Sequence, residues 1–310
     1  MLSRRILRIK AFKVLYSYAE DGSLTLKDAL ARLDDSCEAV RDLYLYMLAF
    51  IPAVTEESRR RIEAARGKFN PTEEERNPNM RFAQNRMASI LSEDPDFQKL
   101  IQKKKLSWEQ YDVLVRNVFD SMSQKAWFKA FMGSGETSLA AEASLFKKMF
   151  EEEFEDNDDL WKILEDLDLR WTDDLPYSLS YCIKAMDAIV AAGGRWNLPP
   201  LYADEQEDHT FVRKLLQNTY ARYEEYTGMI AGSVTKWDSD RLFVTDLVLI
   251  AMGLAEAESF PEIPVRVTLN EYVEISKYYS TPKSRSFVNG LLDTLIKRLA
   301  AERRVDKNIN

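Results

Sequence analysis

The chain has little of what most catalytic and metal centres require. Among its 310 residues there are two cysteines, Cys37 and Cys182, and one histidine, His209. Two thiols so far apart make neither a disulfide framework nor a zinc site, and they read as buried small side chains. A single histidine leaves no pair for metal ligation and, unless His209 itself serves, no Ser-His arrangement. His209 precedes an apolar-periodic stretch, where helix entry is the simpler role. Glycine is scarce, and neither G-x-x-x-x-G-K-[ST] nor G-x-G-x-x-G occurs; Gly133-Ser134-Gly135 is only a turn signal. No apolar run approaches the ~20 residues of a membrane-spanning helix. The basic N-terminus is interrupted by Arg8, Lys10 and Lys13 before any apolar core could form, so it reads as mature cytoplasmic protein. The expectation is a non-enzymatic protein with no cofactor, no metal and no membrane segment.

What is present is helical. Hydrophobic residues at 45% and charged ones at 30% are ordinary for a globular protein long enough for one large or two ordinary domains. Apolar residues recur at three- and four-residue spacing and strand-like alternation is nearly absent, which predicts an all-α fold. The spacing predicts helices over 3–20, 25–33 and 37–66, the last bent near Pro52, with 69–78 as a loop. Further helices are expected over 80–92, 97–104, 108–119, 139–154, 160–167 and 179–192, the last closed by Gly193-Gly194. Asn197 to Asp204, with Pro199-Pro200, is the strongest linker signal. Beyond it, helices are expected at about 209–219, 222–232, 239–258, 268–279 and 285–301.

Local chemistry at the C-terminal end adds three expectations. Thr268-Leu269-Asn270-Glu271 has the spacing of a capping box. Ser284 could cap the final helix after Thr281-Pro282. Gly290, inside that helix, costs ~1 kcal/mol relative to alanine and would be explained by a close helix crossing.

The net charge of −8 argues against a general nucleic-acid coat, but the charge is uneven. Residues 1–13 carry Arg4, Arg5, Arg8, Lys10 and Lys13 and no acid, whereas 151–174 carry twelve acids against Lys162 and Arg170. On a helix Arg4, Arg5 and Arg8 project from one side, in a first turn where the helix dipole prefers acids. A solvated basic helix start is one reading. A surface for phosphate oxygens, which forked guanidinium donors suit, is the other.

Three strings then stand in order. They are Trp237, Arg241 and Leu242; Ile263-Pro264-Val265-Arg266-Val267-Thr268-Leu269-Asn270-Glu271; and Ser284-Arg285-Ser286-Phe287-Val288-Asn289-Gly290-Leu291-Leu292-Asp293. Together they resemble the NusB family, whose pattern is W-x-x-x-R-L, I/V-P-x-K/R-V-x-I/L-N-E and S-x-x-F-V-N-G-V/L-L-D. The N-terminal Arg4, Arg5 and Arg8 followed by Leu15-Tyr16 are similar to the family's arginine-rich first helix, with Leu7 replacing a small residue.

The resemblance implies NusB-type helical bundles and binding of single-stranded boxA RNA from ribosomal RNA operon leaders. It places RNA contacts at Arg4, Arg5, Arg8, Lys10, Lys283, Phe287 and Asn289, with Phe287 as a base-stacking ring. Phe287 as core filler and Asn289 as a local backbone bridge stay open. The resemblance also implies a partner, ribosomal protein NusE, on a face built from Tyr16, Arg241, Leu242, Thr245 and Asp246. RNA polymerase would be reached indirectly. Thr245-Asp246 departs from the family's usual acid-base pair, and Lys283 stands where an aspartate is common. The resemblance covers roughly 1–20 and 205–300. The expected organisation is therefore a first helix (1–20) packed with a NusB-type domain (205–310) around a helical insertion (21–204), similar to enlarged family members of Bacteroidetes-type bacteria. The alternative is a NusB-derived helical scaffold that has lost RNA binding.

Overall fold

The computed structural model describes residues 1–234 and 242–307. It is all-α: no strand occurs among the described residues, and the one extended pairing is an isolated parallel bridge between Leu2 and Tyr202. The helices are α1 (Arg4–Asp21), α2 (Leu26–Leu48), α3 (Phe50–Arg66), α4 (Glu73–Arg76), α5 (Arg86–Glu93) and α6 (Pro95–Lys104). They continue as α7 (Asp112–Gln124), α8 (Ala126–Gly133), α9 (Leu139–Glu152), α10 (Asp158–Leu167) and α11 (Leu175–Ala191). The last five are α12 (Glu205–Ala221), α13 (Tyr223–Ser233), α14 (Val244–Ser259), α15 (Val265–Tyr279) and α16 (Ser284–Ala301). No described helix is long and apolar enough to cross a membrane.

The chain divides into two compact units, one of residues 1–37 and 200–310, the other of residues 38–199. In the first unit α14 is the axis. Every residue from Val248 to Ala257 is buried, as an all-round apolar helix demands. It packs against α1, α12, α13, α15 and α16. From α1 come Leu7, Ala11 and Leu15; from α12 Val212, Leu215 and Leu216; from α16 Val288, Leu292 and Ile296, all fully buried. The N-terminus is tied to the start of the C-terminal stretch, Leu2 N–H donating to Leu201 O at 2.6 Å. Leu201 and Tyr202, expected in a linker, are consequently buried.

The second unit is an aromatic-rich helical body. Tyr46 stacks on Trp108 with centroids 4.0 Å apart. The indole N–H groups of Trp108 and Trp171 donate to the carbonyls of Tyr46 (2.8 Å) and Ala39 (2.9 Å), so neither buried donor is left unpaired. Gly193 at φ 65° closes α11, and Gly194 N–H returns to Ile189 O at 2.8 Å.

Several helix boundaries differ from the sequence expectation for local reasons. The Asp34-Asp35-Ser36 run does not break α2, which continues to Leu48; the interruption falls at Ala49. Pro52 has no N–H to return to Leu48, so the ladder breaks there. The expected loop at 69–78 contains α4, opened by a reciprocal capping box of Thr72 and Glu75. The predicted helix from residue 80 starts only at Arg86, where Asn85 caps it. Helix α12 begins four residues ahead of His209, because Asp204 accepts from Glu207 N–H at 2.8 Å.

The three C-terminal expectations are corrected. Thr268 is no cap: α15 starts at Val265 after Pro264, and Thr268 lies buried inside it. Ser284 is the first residue of α16, and Lys283 precedes it without a side-chain cap. Gly290 faces open space, with nothing within 4 Å of where a Cβ would stand. The close crossing belongs to Gly253, where an added Cβ would lie 2.7 Å from Leu292 Cδ2.

Candidate functional site

Helix α1 is capped by Ser3, whose hydroxyl accepts from Ile6 N–H at 3.4 Å. Its first two turns bring three arginines against three different parts of the same unit. Arg4 Nε donates to Asp208 Oδ1 at 3.2 Å, and its guanidinium lies 5.0 Å from the Phe211 ring centroid. Glu207 stands 3.6 Å from the same group. Arg5 chelates Glu271 through Nε (2.8 Å) and Nη2 (2.7 Å). Arg8 chelates Glu256 through Nε (2.7 Å) and Nη2 (2.9 Å).

The three pairs sit at different depths. The Arg4 and Arg5 side chains are about a third to a half exposed, at 37% and 50%, whereas Arg8 and Glu256 are 4% and 0% exposed. Glu256 also accepts from Thr268 Oγ1 at 2.8 Å and Tyr272 OH at 3.2 Å, so four donors converge on one carboxylate. Burial works against the Arg8 charge, but the Glu256 carboxylate outweighs it and the guanidinium pKa is raised. The Glu271 carboxyl is held below its usual range, chiefly by the Arg5 hydrogen bond.

Two expected RNA contacts are therefore corrected. Arg8 does not share a solvated face with Arg4 and Arg5, because the buried Glu256 draws it inward. Lys10 is 0% exposed and offers no surface to a ligand. Lys283 and Asn289 are exposed at the start and second turn of α16, and Phe287 between them is half-buried.

The expected partner face is also divided. Tyr16 is 37% exposed, with Phe12 beside it at 6.2 Å between ring centroids. Leu242 and Thr245 are half-buried. Arg241, like Trp237 of the same string, lies outside the described residues. Asp246 is corrected: it is 1% exposed and accepts from Ser280 (2.6 Å) and Ser284 (2.8 Å). Thr245 and Thr281 extend this hydroxyl cluster, at 3.1 Å from Ser280 and 2.9 Å from Ser284. Burial raises the Asp246 carboxyl, and the two serine hydroxyls partly offset that.

Sequence reasoning missed the carboxylates that hold the arginines, Asp208, Glu256 and Glu271. Glu256 had a visible signal, as an acid inside the apolar run 247–257. It also missed Tyr278, which is 81% exposed on α15, and Phe243, 49% exposed before α14. No group of three metal-binding side chains comes together among the described residues.

The arginine-bearing first helix is thus seated on the C-terminal helical unit. The NusB family pattern matches residues 201–297. The chain is 38% identical over 89 residues to the transcription antitermination protein NusB of Listeria monocytogenes serotype 4b, strain CLIP80459, covering 29% of this chain and 68% of that protein. The proteins of the same name from strain F2365 and from serovar 1/2a strain EGD-e give the same identity and coverage. No solved structure matches. The chain belongs to the NusB family.

Proposed function

We propose that this protein is a non-enzymatic transcription antitermination factor that binds boxA-type single-stranded RNA together with ribosomal protein NusE. In this reading it holds the nascent transcript near RNA polymerase and promotes transcription of ribosomal RNA operons. The observation that carries it is the seating of α1. Arg4 and Arg5 lie far from the matched segment in sequence, yet they pair with Asp208 and Glu271 of that segment. With Lys283, Phe287 and Asn289 they form the proposed RNA face. Arginine and lysine supply phosphate contacts, and Phe287 supplies a partly exposed ring for a base. Tyr16, Leu242 and Thr245 are the proposed NusE contacts. The unit of residues 38–199 has no counterpart in this reading beyond added helical structure.

One observation favours a second reading. All three arginines are already paired with carboxylates, and the net charge is −8, as a scaffold without RNA binding would have it. Titrating a labelled boxA-type RNA with the full chain, with and without NusE, separates the two. The adaptor reading expects binding that NusE strengthens; the scaffold reading expects none with or without it.

A further inference from the structure

Among the three arginine pairs, only that of Arg5 has a carboxylate mostly covered by protein and a guanidinium half in solvent, with exposures of 17% for Glu271 and 50% for Arg5. The Arg8 pair is sealed on both sides. In the Arg4 pair the guanidinium is shared between Asp208 and the open Glu207, which is 72% exposed. Guanidinium has five N–H donors, of which Glu271 holds two here, leaving the rest for another anion. The same stretch of α15 carries Glu274, held by Lys277 and lying in the field of Arg5 and Arg285. Arg5 pairs with Glu271, whose other cationic neighbour is the buried Arg8 at 3.8 Å, and Lys277 pairs with Glu274, so on this stretch each acid cancels an exposed positive charge that a phosphodiester would meet.

We propose that Glu271 is a built-in competitor for the RNA backbone: it holds Arg5 in the free protein and sets the affinity of the face by the ease with which Arg5 exchanges carboxylate for phosphate. This rests on the RNA-binding reading above. A carboxylate and a phosphate each offer a pair of acceptor oxygens to the guanidinium fork, so the two compete for one geometry. Neutralising Glu271 keeps the side-chain shape and frees one positive charge at the face.

The test uses the full chain, a boxA-type single-stranded RNA oligonucleotide, and Kd measured across a salt series. Glu271→Gln should bind roughly two- to five-fold tighter, the scale of an exposed charge pair. Its log-affinity should fall more steeply with log-salt, by up to ~0.7 for one further phosphate neutralised. The gain should vanish in an Arg5→Ala background, and Glu262→Gln, a charge-matched change at an exposed position, should not reproduce it. Thermal unfolding of each variant checks the fold, and Glu271→Ser gives the same readout if the glutamine variant does not fold. Unchanged or weaker binding by both Glu271 variants, while Arg5→Ala still weakens it, overturns the competitor role and leaves the RNA-binding reading standing. No binding by the parent protein overturns both.

Discussion

Arg8 and Glu256 meet inside the α14 core through two hydrogen bonds of 2.7 and 2.9 Å, with neither side chain open to water. The pair joins the N-terminal helix to the axis of a bundle, α12 to α16, that begins nearly two hundred residues later. Removing one partner strands a buried charge, which costs about 3–5 kcal/mol. Arg8→Ala should therefore destabilise the chain by about that much in urea unfolding. The paired change Arg8→Met with Glu256→Leu should recover only part of the loss, because the buried hydroxyls of Thr268 and Tyr272 then lose their acceptor. A loss below about 1 kcal/mol for Arg8→Ala would place the pair among ordinary surface bridges.

The two glycines of the C-terminal bundle should respond to alanine with opposite signs. Gly290 has open space around it inside α16, so Gly290→Ala should stabilise by about 0.5–1 kcal/mol. At Gly253 a Cβ would meet three atoms of Leu292, at 2.7 to 3.3 Å, and Leu292 is itself fully buried. Overpacking of about 1–3 kcal/mol exceeds the helix-propensity gain, so Gly253→Ala should lower stability. Adding Leu292→Ala should remove the clash, so the double-mutant cycle should show favourable coupling. Two shifts of the same sign would contradict the packing described for α14 and α16.

Asp246 makes a pH prediction. Its carboxyl is raised in the folded state, mainly by burial, so the folded protein binds its proton more tightly than the unfolded chain does. Its contribution to stability is fully present below the unfolded-state value, near 4, and is lost as pH rises through the raised folded value. Asp246→Asn keeps polar partners for Ser280 and Ser284 and removes the titration. The stability of the parent relative to this variant should rise as pH is lowered from 7 towards 4. A pH-independent difference would mean that the hydroxyls fully compensate the buried charge.

The helical class was legible because periodicity alone carries it, and the strings around Asn270-Glu271 and Phe287-Val288-Asn289-Gly290 carried the family. What escaped was the depth of individual polar groups. Thr268 has capping-box spacing, but a hydroxyl there is drawn to Glu256, which only the fold brings near. Arg4, Arg5 and Arg8 share a helical side in sequence terms. Packing of α14 turns Arg8 inward, while Arg4 and Arg5 stay partly in water. Gly290 was the glycine inside a recognised motif, whereas Gly253 lay unnoticed in an apolar run. Asp246 differs from the family's usual residue, and its serine partners come from the end of α15 and the start of α16, beyond the reach of local spacing.

The proposed function depends above all on RNA contact by Arg4 and Arg5. The most direct measurement is the salt dependence of boxA-type RNA affinity for the parent chain and for the double variant Arg4→Ala with Arg5→Ala, both checked for an intact fold. The double variant should bind more weakly, with the log-affinity slope on log-salt reduced by ~0.7 for each phosphate that is no longer neutralised. Equal affinity and equal slope for the two proteins would contradict it.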